Sequence, residues 1–296
     1  MNWKDTVKNV IVYIESHIDD VININEIAKK LFISPFYLQK GFKLMTGYTI
    51  SDYINYRRLY LAAIDIMSSK EKIINIAFKY GYEYPESFTR AFKKFHGFNP
   101  SKTRKESENI RKFLPFEIDI LVKRRTNMDY IIEKKEKFTV IGFIKEFDMR
   151  ASYKEIPEFW DECFAKHMKN IIENSFKPQN DIENAILENI IGEFGVCIDD
   201  LNQPYKFRYL IGGTYKGGKV PENMVLYEIP SLEWAIFKIK GPMPNALQEV
   251  NTKIFQDWLP NSEYNIATGI DIEWYSDGDT SSEDYESAIW IPIVKK

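Results

Sequence analysis

"GYEYPESFTRAFKKFHGFNP", Gly81 to Pro100, decides how the front of this chain folds. Pro85 fits a first helical position, where its missing N–H loses no bond, and Gly97 fits a left-handed helix stop. Between them Phe88, Phe92 and Phe95 recur at helical spacing and predict one apolar face. The opposite face carries Glu86, Ser87, Arg90 and the pair Lys93–Lys94. Such a face is either an ordinary solvated surface or one laid against a polyanion.

The same unit occurs earlier. "INEIAKKLFI" from Ile24 aligns with "IINIAFKYGY" from Ile73, pairing Ile27 with Ile76 and Ala28 with Ala77. After one extra residue in the second turn, Leu38 meets Phe88, Phe42 meets Phe92, Met45 meets Phe95 and Gly47 meets Gly97. Each copy reads as a short helix, a tight turn and a second helix, which is a helix-turn-helix unit. Ser34 and Pro35 open the second helix of the first copy as cap and first residue. Gly41 inside that helix is expected to mark close backbone packing. The helix "TISDYINYRRLYLAAIDIMSS" joins the copies, and its roughly 18 residues span about 27 Å at 1.5 Å per residue. That is close to one turn of DNA, about 34 Å, so one chain could set two helices into successive major-groove segments.

Charge agrees with this reading. The formal net charge of the 296 residues is −3, but it is unevenly distributed. Residues 1–112 hold 19 basic and 12 acidic side chains, while the remainder holds 21 and 31. The basic front suits a polyanion and the acidic back does not. In a helix-turn-helix the start of the second helix reaches base edges. Those positions are Phe36, Tyr37, Gln39 and Lys40 in the first copy, and Glu86, Ser87 and Arg90 in the second. Gln suits adenine, Arg and Lys suit guanine, and Glu accepts from cytosine. Lys43, Lys93, Lys94, Lys102 and Arg104 suit phosphate.

Residues 8–105 resemble the DNA-binding domain of the AraC/XylS family of bacterial transcription regulators. The carriers are "INEIAKKLFISPFYLQKGFKLMTGYTISDYINYRRLYLAA" and "INIAFKYGYEYPESFTRAFKKFHGFNPSKTRK". The resemblance implies base-facing roles for Phe36, Gln39, Lys40, Glu86, Ser87 and Arg90, and double-stranded promoter DNA as the partner.

Past "NPSKTRKESENIRK" the pattern changes. The expected division is a double helix-turn-helix domain over 1–107, a mixed-charge linker over 108–127 that allows domain motion, and an α+β domain over 128–296. The back half repeats as well: "IIEKKEKFTVIGFIK" (131–145) resembles "LYEIPSLEWAIFKIK" (226–240). Each is followed by a helical stretch and two short strands. A duplicated strand-helix-strand-strand unit predicts helices on one face of a mainly antiparallel sheet, with a groove between the halves.

This half is similar to the GyrI-like effector-binding domain. The carriers are "IPEFWDECF", "FGVCID", "MVLYEIPSLEWAIFKIKGPMPNALQEVNTKIFQDWLP", "IEWY" and "YESAIWIPI". The resemblance implies an aromatic groove with an acid at its base, and the matching acid is Glu273. Alternation puts Asp271, Glu273 and Tyr275 on one strand face, and Glu286, Ala288 and Trp290 on another. Many relatives carry an acid where Ala288 stands. Trp160, Phe194, Tyr209, Tyr227, Trp234, Phe237 and Trp258 are the candidate aromatics, about half of them expected in the core. A carboxylate among such rings suits a lipophilic cation.

A Glu beside a Tyr also fits an acid–base pair. A hydrolase fused to the DNA-binding domain is therefore one alternative, and a protein-interaction module is another. With only His17, His96 and His167, and with Cys163 and Cys197 in no CxxC pattern, no Ser-His-Asp set, disulfide scaffold, metal site or cofactor is expected. "GGTYKGGKV" (212–220) falls short of a phosphate-binding loop because Val220 lacks a hydroxyl, so a hairpin is expected there. No leader and no membrane span are legible, which makes the cytoplasm the expected compartment. The reading is a ligand-responsive transcription regulator whose effector alters domain packing or presentation to RNA polymerase.

Overall fold

The computed structural model describes residues 3–118, 128–199 and 205–296. Helix α1 (Trp3–Ser16) buries Val7, Val10, Ile11 and Ile14, one stripe at helical spacing. The first repeat is α2 (Ile24–Lys30) and α3 (Pro35–Thr46), and the second is α5 (Ile73–Lys79) and α6 (Pro85–His96). Helix α4 (Ile50–Ser68) joins them. Ser34 caps α3 by accepting from the Tyr37 N–H at 3.2 Å, and Pro35 follows it as the first helical residue. Gly47 and Gly97 end α3 and α6 at φ +80° and +89°, a region that disfavours any residue with a Cβ. Ala28 and Ala77 are fully buried, as close helix approach requires.

Gly41 packs against Trp3. A Cβ there would stand 1.8 Å from Trp3 Cζ2, so this glycine is kept for contact. Arg57 of α4 ties the domain together: its Nε and Nη2 donate to the two oxygens of Glu15 at 2.8 and 2.7 Å. Its Nη1 donates to the Phe113 carbonyl at 2.5 Å. Phe113 and Phe116 then pack against the rings of Tyr48 and Tyr53. The described part of the expected linker is therefore strapped to the front domain, because its aromatics find buried partners there. Residues 119–127 lie outside the described residues.

The back domain is one twisted sheet with every pairing antiparallel. Its strands are β1 (Tyr130–Lys135), β2 (Phe138–Asp148), β3 (Phe194–Asp199), β4 (Lys206–Thr214), β5 (Val225–Ile229), β6 (Leu232–Lys240), β7 (Tyr264–Ile266), β8 (Ile270–Tyr275) and β9 (Glu286–Lys295). The order β1-β6-β9-β8-β3-β4-β2-β5 is a palindrome of the duplicated unit, with β7 added beside β9. The halves meet at β3 and β8, and each half lends its first strand to the other as an edge. The connection through "GGTYKGGKV" is not a hairpin, since β4 and β5 pair with opposite edges of β2.

Helices α7 (Ser152–Glu173) and α9 (Asn245–Lys253) fall on the helical stretches expected of the two units, and α8 (Asp181–Asn189) is a helix the repeat did not predict. A π-helical segment, Ile254–Trp258, extends α9. The helix-side core runs without a break from Trp3 through Phe36 and Phe255 to Ile293, so the two domains share it. A second cluster, with Val140, Val196, Leu210 and Trp234, fills the other sheet face.

Candidate effector cavity and reading helices

The cavity opens on the helix side of the β3–β8 seam, where the halves meet. It measures about 930 Å³ and is lined by Trp160 and Phe164 of α7, Leu247 of α9, and Glu273 and Tyr275 of β8. That volume suits a drug-sized molecule. Glu273 Oε2 accepts from the Tyr209 hydroxyl at 2.5 Å and the Tyr275 hydroxyl at 2.8 Å. Trp160 Nε1 donates to the Tyr209 hydroxyl oxygen at 3.2 Å, so an indole, two phenols and a carboxylate form one network. Burial pushes the Glu273 pKa up; the phenol donors and the Lys40 ammonium pull it down but do not cancel the rise.

Gly195 makes this network possible. The register sets Gly195 opposite Glu273 on the cavity face. A Cβ there would fall 1.9 Å from the Tyr209 hydroxyl oxygen. A glycine inside a strand signals such close approach. That signal stands in "EFGVCIDD", where Gly195 interrupts an otherwise apolar strand run.

Part of the wall comes from the front domain. Phe36, Lys40, Lys43 and Leu44 of α3 all line the cavity. Lys40 Nζ pairs with Asp271 Oδ2 at 2.7 Å, with the two side chains 12% and 1% exposed. Burial works against the ammonium, but the groups around it, Asp271 foremost, together outweigh it and the Lys40 pKa is raised. Removing one partner of so buried a pair costs about 3–5 kcal/mol. The Tyr37 hydroxyl donates to the Ile270 carbonyl at 3.0 Å, and Phe36 meets Phe207 at 5.2 Å between centroids. Lys43 Nζ donates to the Met149 carbonyl, and Gln256 Nε2 to the Leu44 carbonyl. Cys197 also lines the cavity, with its thiol pushed well up by burial and by Asp271.

The two repeats therefore differ. In α6, Glu86, Arg90, Lys93 and Lys94 are exposed and Ser87 is half-buried. Phe88, Phe92 and Phe95 point inward. In α3, Phe36, Tyr37 and Gln39 are 2%, 1% and 1% exposed. The expectation that both helices lie open is corrected for α3. Its Phe36, Tyr37, Lys40 and Lys43 face the back domain, because aromatic burial and the Asp271 pair hold them there, and Gln39 is buried too.

Residues 128–294 match the GyrI-like small molecule binding domain family. The chain belongs to the GyrI-like family. Residues 27–106 match a helix-turn-helix domain family. Regulatory protein SoxS of Escherichia coli K12 is 36% identical over 104 residues, covering 35% of this chain and 97% of SoxS. Transcriptional regulator Rob of Salmonella typhimurium is 32% identical over 108 residues, covering 36% of this chain and 37% of Rob. The solved structure of SAV2435 bound to tetraphenylphosphonium aligns at 25% identity and a TM-score of 0.44, over 56% of this chain and 94% of that one. An AraC-type DNA-binding domain is thus followed by a GyrI-like small-molecule-binding domain, the architecture of a transcription regulator.

Within the GyrI-like domain the expected binding residues divide. Trp160, Glu273 and Tyr275 line the cavity, and Tyr209 lies beneath them holding Glu273. Phe194, Tyr227, Trp234 and Trp290 sit on the opposite sheet face and are not cavity residues. Register is the reason: Gly195 and Ile289 pair with Glu273 on the cavity face, which turns Phe194 and Trp290 away. Tyr227 pairs with Val140, and Trp234 packs against Trp290. Trp258 packs against Phe237 and Tyr130, away from the cavity. Glu286 is exposed at the start of β9, opposite Lys240. Among the described residues no helix is long and apolar enough to cross a membrane.

Proposed function

We propose that this regulator senses a lipophilic, drug-sized cation through Glu273 and answers by changing how it engages promoter DNA. The observation that carries the reading is a carboxylate at the base of an aromatic and aliphatic cavity, held by two phenols on one oxygen. Among the described residues no hydrogen bond reaches Oε1, which is the atom offered to a ligand. A carboxylate with aromatic neighbours attracts a cation that water solvates poorly.

In the front domain, Arg90, Ser87 and Glu86 are assigned to base edges, and Lys93 and Lys94 to phosphate. The output is contact with RNA polymerase in the cytoplasm, the route open to a promoter-bound regulator. Catalysis is not part of the reading. The thiol in the cavity, Cys197, is kept protonated by burial, and Glu273 is tied to two phenols instead of a nucleophile.

The test is calorimetry with tetraphenylphosphonium, a permanent aromatic cation, on wild type and E273Q. Gln keeps the shape and an acceptor for the phenols but removes the charge. Affinity should fall at least about tenfold, equal to about 1.4 kcal/mol. Equal affinity in the two proteins would sink the proposal.

A further inference from the structure

We infer that Lys40 is an internal ligand of the effector cavity, so that helix α3 and a cationic effector compete for the carboxylate face of β8. The inference rests on the reading of the cavity as a cation site. By repeat alignment, Lys40 stands in the first copy where Arg90 stands in the second. Arg90 is in solvent, whereas Lys40 is in the cavity.

Lys40 is bound as a ligand would be. Its ammonium is paired with Asp271 at 2.7 Å and lies 5.6 Å from the Phe36 ring centroid and 5.8 Å from that of Phe255. One carboxylate and two aromatic faces are the elements that recognise an organic cation. Asp271 and Glu273 lie two residues apart on the same face of β8, about 7 Å along the strand. A cation seated on Glu273 therefore lies within a Debye length of Lys40, in a site where salt screens little. The two positive charges repel, and the effector gains most when Lys40 leaves.

Departure of Lys40 loosens α3. Three other polar contacts of that helix with the back domain are single bonds to neutral carbonyls or from a neutral amide: Tyr37 to the Ile270 carbonyl, Lys43 to the Met149 carbonyl, and Gln256 to the Leu44 carbonyl. The helix that is released carries Phe36, Tyr37 and Gln39, the base-facing positions of the first repeat. While docked, the chain offers α6 alone to DNA; once undocked, it offers both helices. Coupling of this kind is reciprocal, so a docked Lys40 weakens the cation as much as the cation weakens docking.

The experiment uses the full chain and tetraphenylphosphonium. Hydrogen exchange is followed across Pro35–Thr46 and Ile270–Tyr275 with and without the cation, and Kd is measured for wild type and K40M. Cation binding should speed exchange in Pro35–Thr46 while Ile270–Tyr275 stays protected. K40M should bind the cation on the order of tenfold more tightly. If the cation binds yet leaves exchange in Pro35–Thr46 unaltered, this inference is overturned and the proposed function stands. A folded K40M with wild-type Kd overturns it equally. Where K40M does not fold, the exchange experiment on wild type decides alone. Binding to neither chain overturns both the inference and the function it rests on.

Discussion

Replacing Gly195 by alanine places a methyl group inside the carboxylate network. The new Cβ would stand 1.9 Å from the Tyr209 hydroxyl oxygen, 2.7 Å from its Cζ and 3.0 Å from Glu273 Oε2. Tyr209 is fully buried, with Phe147 packed edge-on at 6.3 Å, so its ring has no room to swing aside. The hydroxyl must leave Glu273, now 2.5 Å away, and the Trp160 indole, now 3.2 Å away. A lost hydrogen bond to a charged group is worth about 1.5–3 kcal/mol, and overpacking adds about 1–3, so G195A should lose roughly 2.5–6 kcal/mol. That is a large share of a typical domain's 5–15 kcal/mol or so. Urea unfolding should show a lower midpoint at unchanged slope, and cation affinity should fall with it. Removing the hydroxyl in G195A/Y209F should recover part of the loss. A G195A protein within about 0.5 kcal/mol of wild type, with wild-type cation affinity, would refute the packing argument.

Two further outcomes follow from the geometry. Because burial raises the Glu273 pKa above its ordinary 4.5, affinity for a permanent cation should fall as pH drops into the window above 4.5. Over the same window the folded state holds the Glu273 proton more tightly than the unfolded chain does. Its contribution to stability is therefore fullest below 4.5 and is lost as pH rises through the folded pKa. A Kd that stays flat from there to neutrality would exclude Glu273 as the binding charge. In α6, R90A should weaken specific DNA binding by about 1–3 kcal/mol and random-sequence binding by less. Equal loss on both duplexes, in anisotropy titrations at one salt concentration, would make Arg90 a phosphate contact.

Much of the fold was legible because local chemistry sets it. Ser34, Pro35, Gly47, Pro85 and Gly97 mark helix ends through their own backbone needs, and each marks the end it was read to mark. Duplication in the back half was visible as a repeat; the resemblance to the GyrI-like domain pointed to Glu273, and strand alternation put Tyr275 on the same face. The aromatics were harder. Phe194, Tyr227, Trp234 and Trp290 are as apolar as Trp160, and nothing local says which sheet face they take. That depends on which residue pairs with Glu273 across β3 and β9, a matter of register between distant segments.

The sequence by itself determined that this chain is two repeated architectures in tandem, one basic and helical, the other acidic and mixed. Repeats, caps and charge are properties of short segments, so no tertiary contact was needed to read them. Only the tertiary structure decided that the repeats are unequal. Lys40 and Arg90 are matched in sequence, yet one is held by Asp271 beneath the back domain while the other stands in solvent. The difference comes from a partner 231 residues away along the chain. A buried ion pair and aromatic packing across domains are long-range contacts, and local pattern does not encode them.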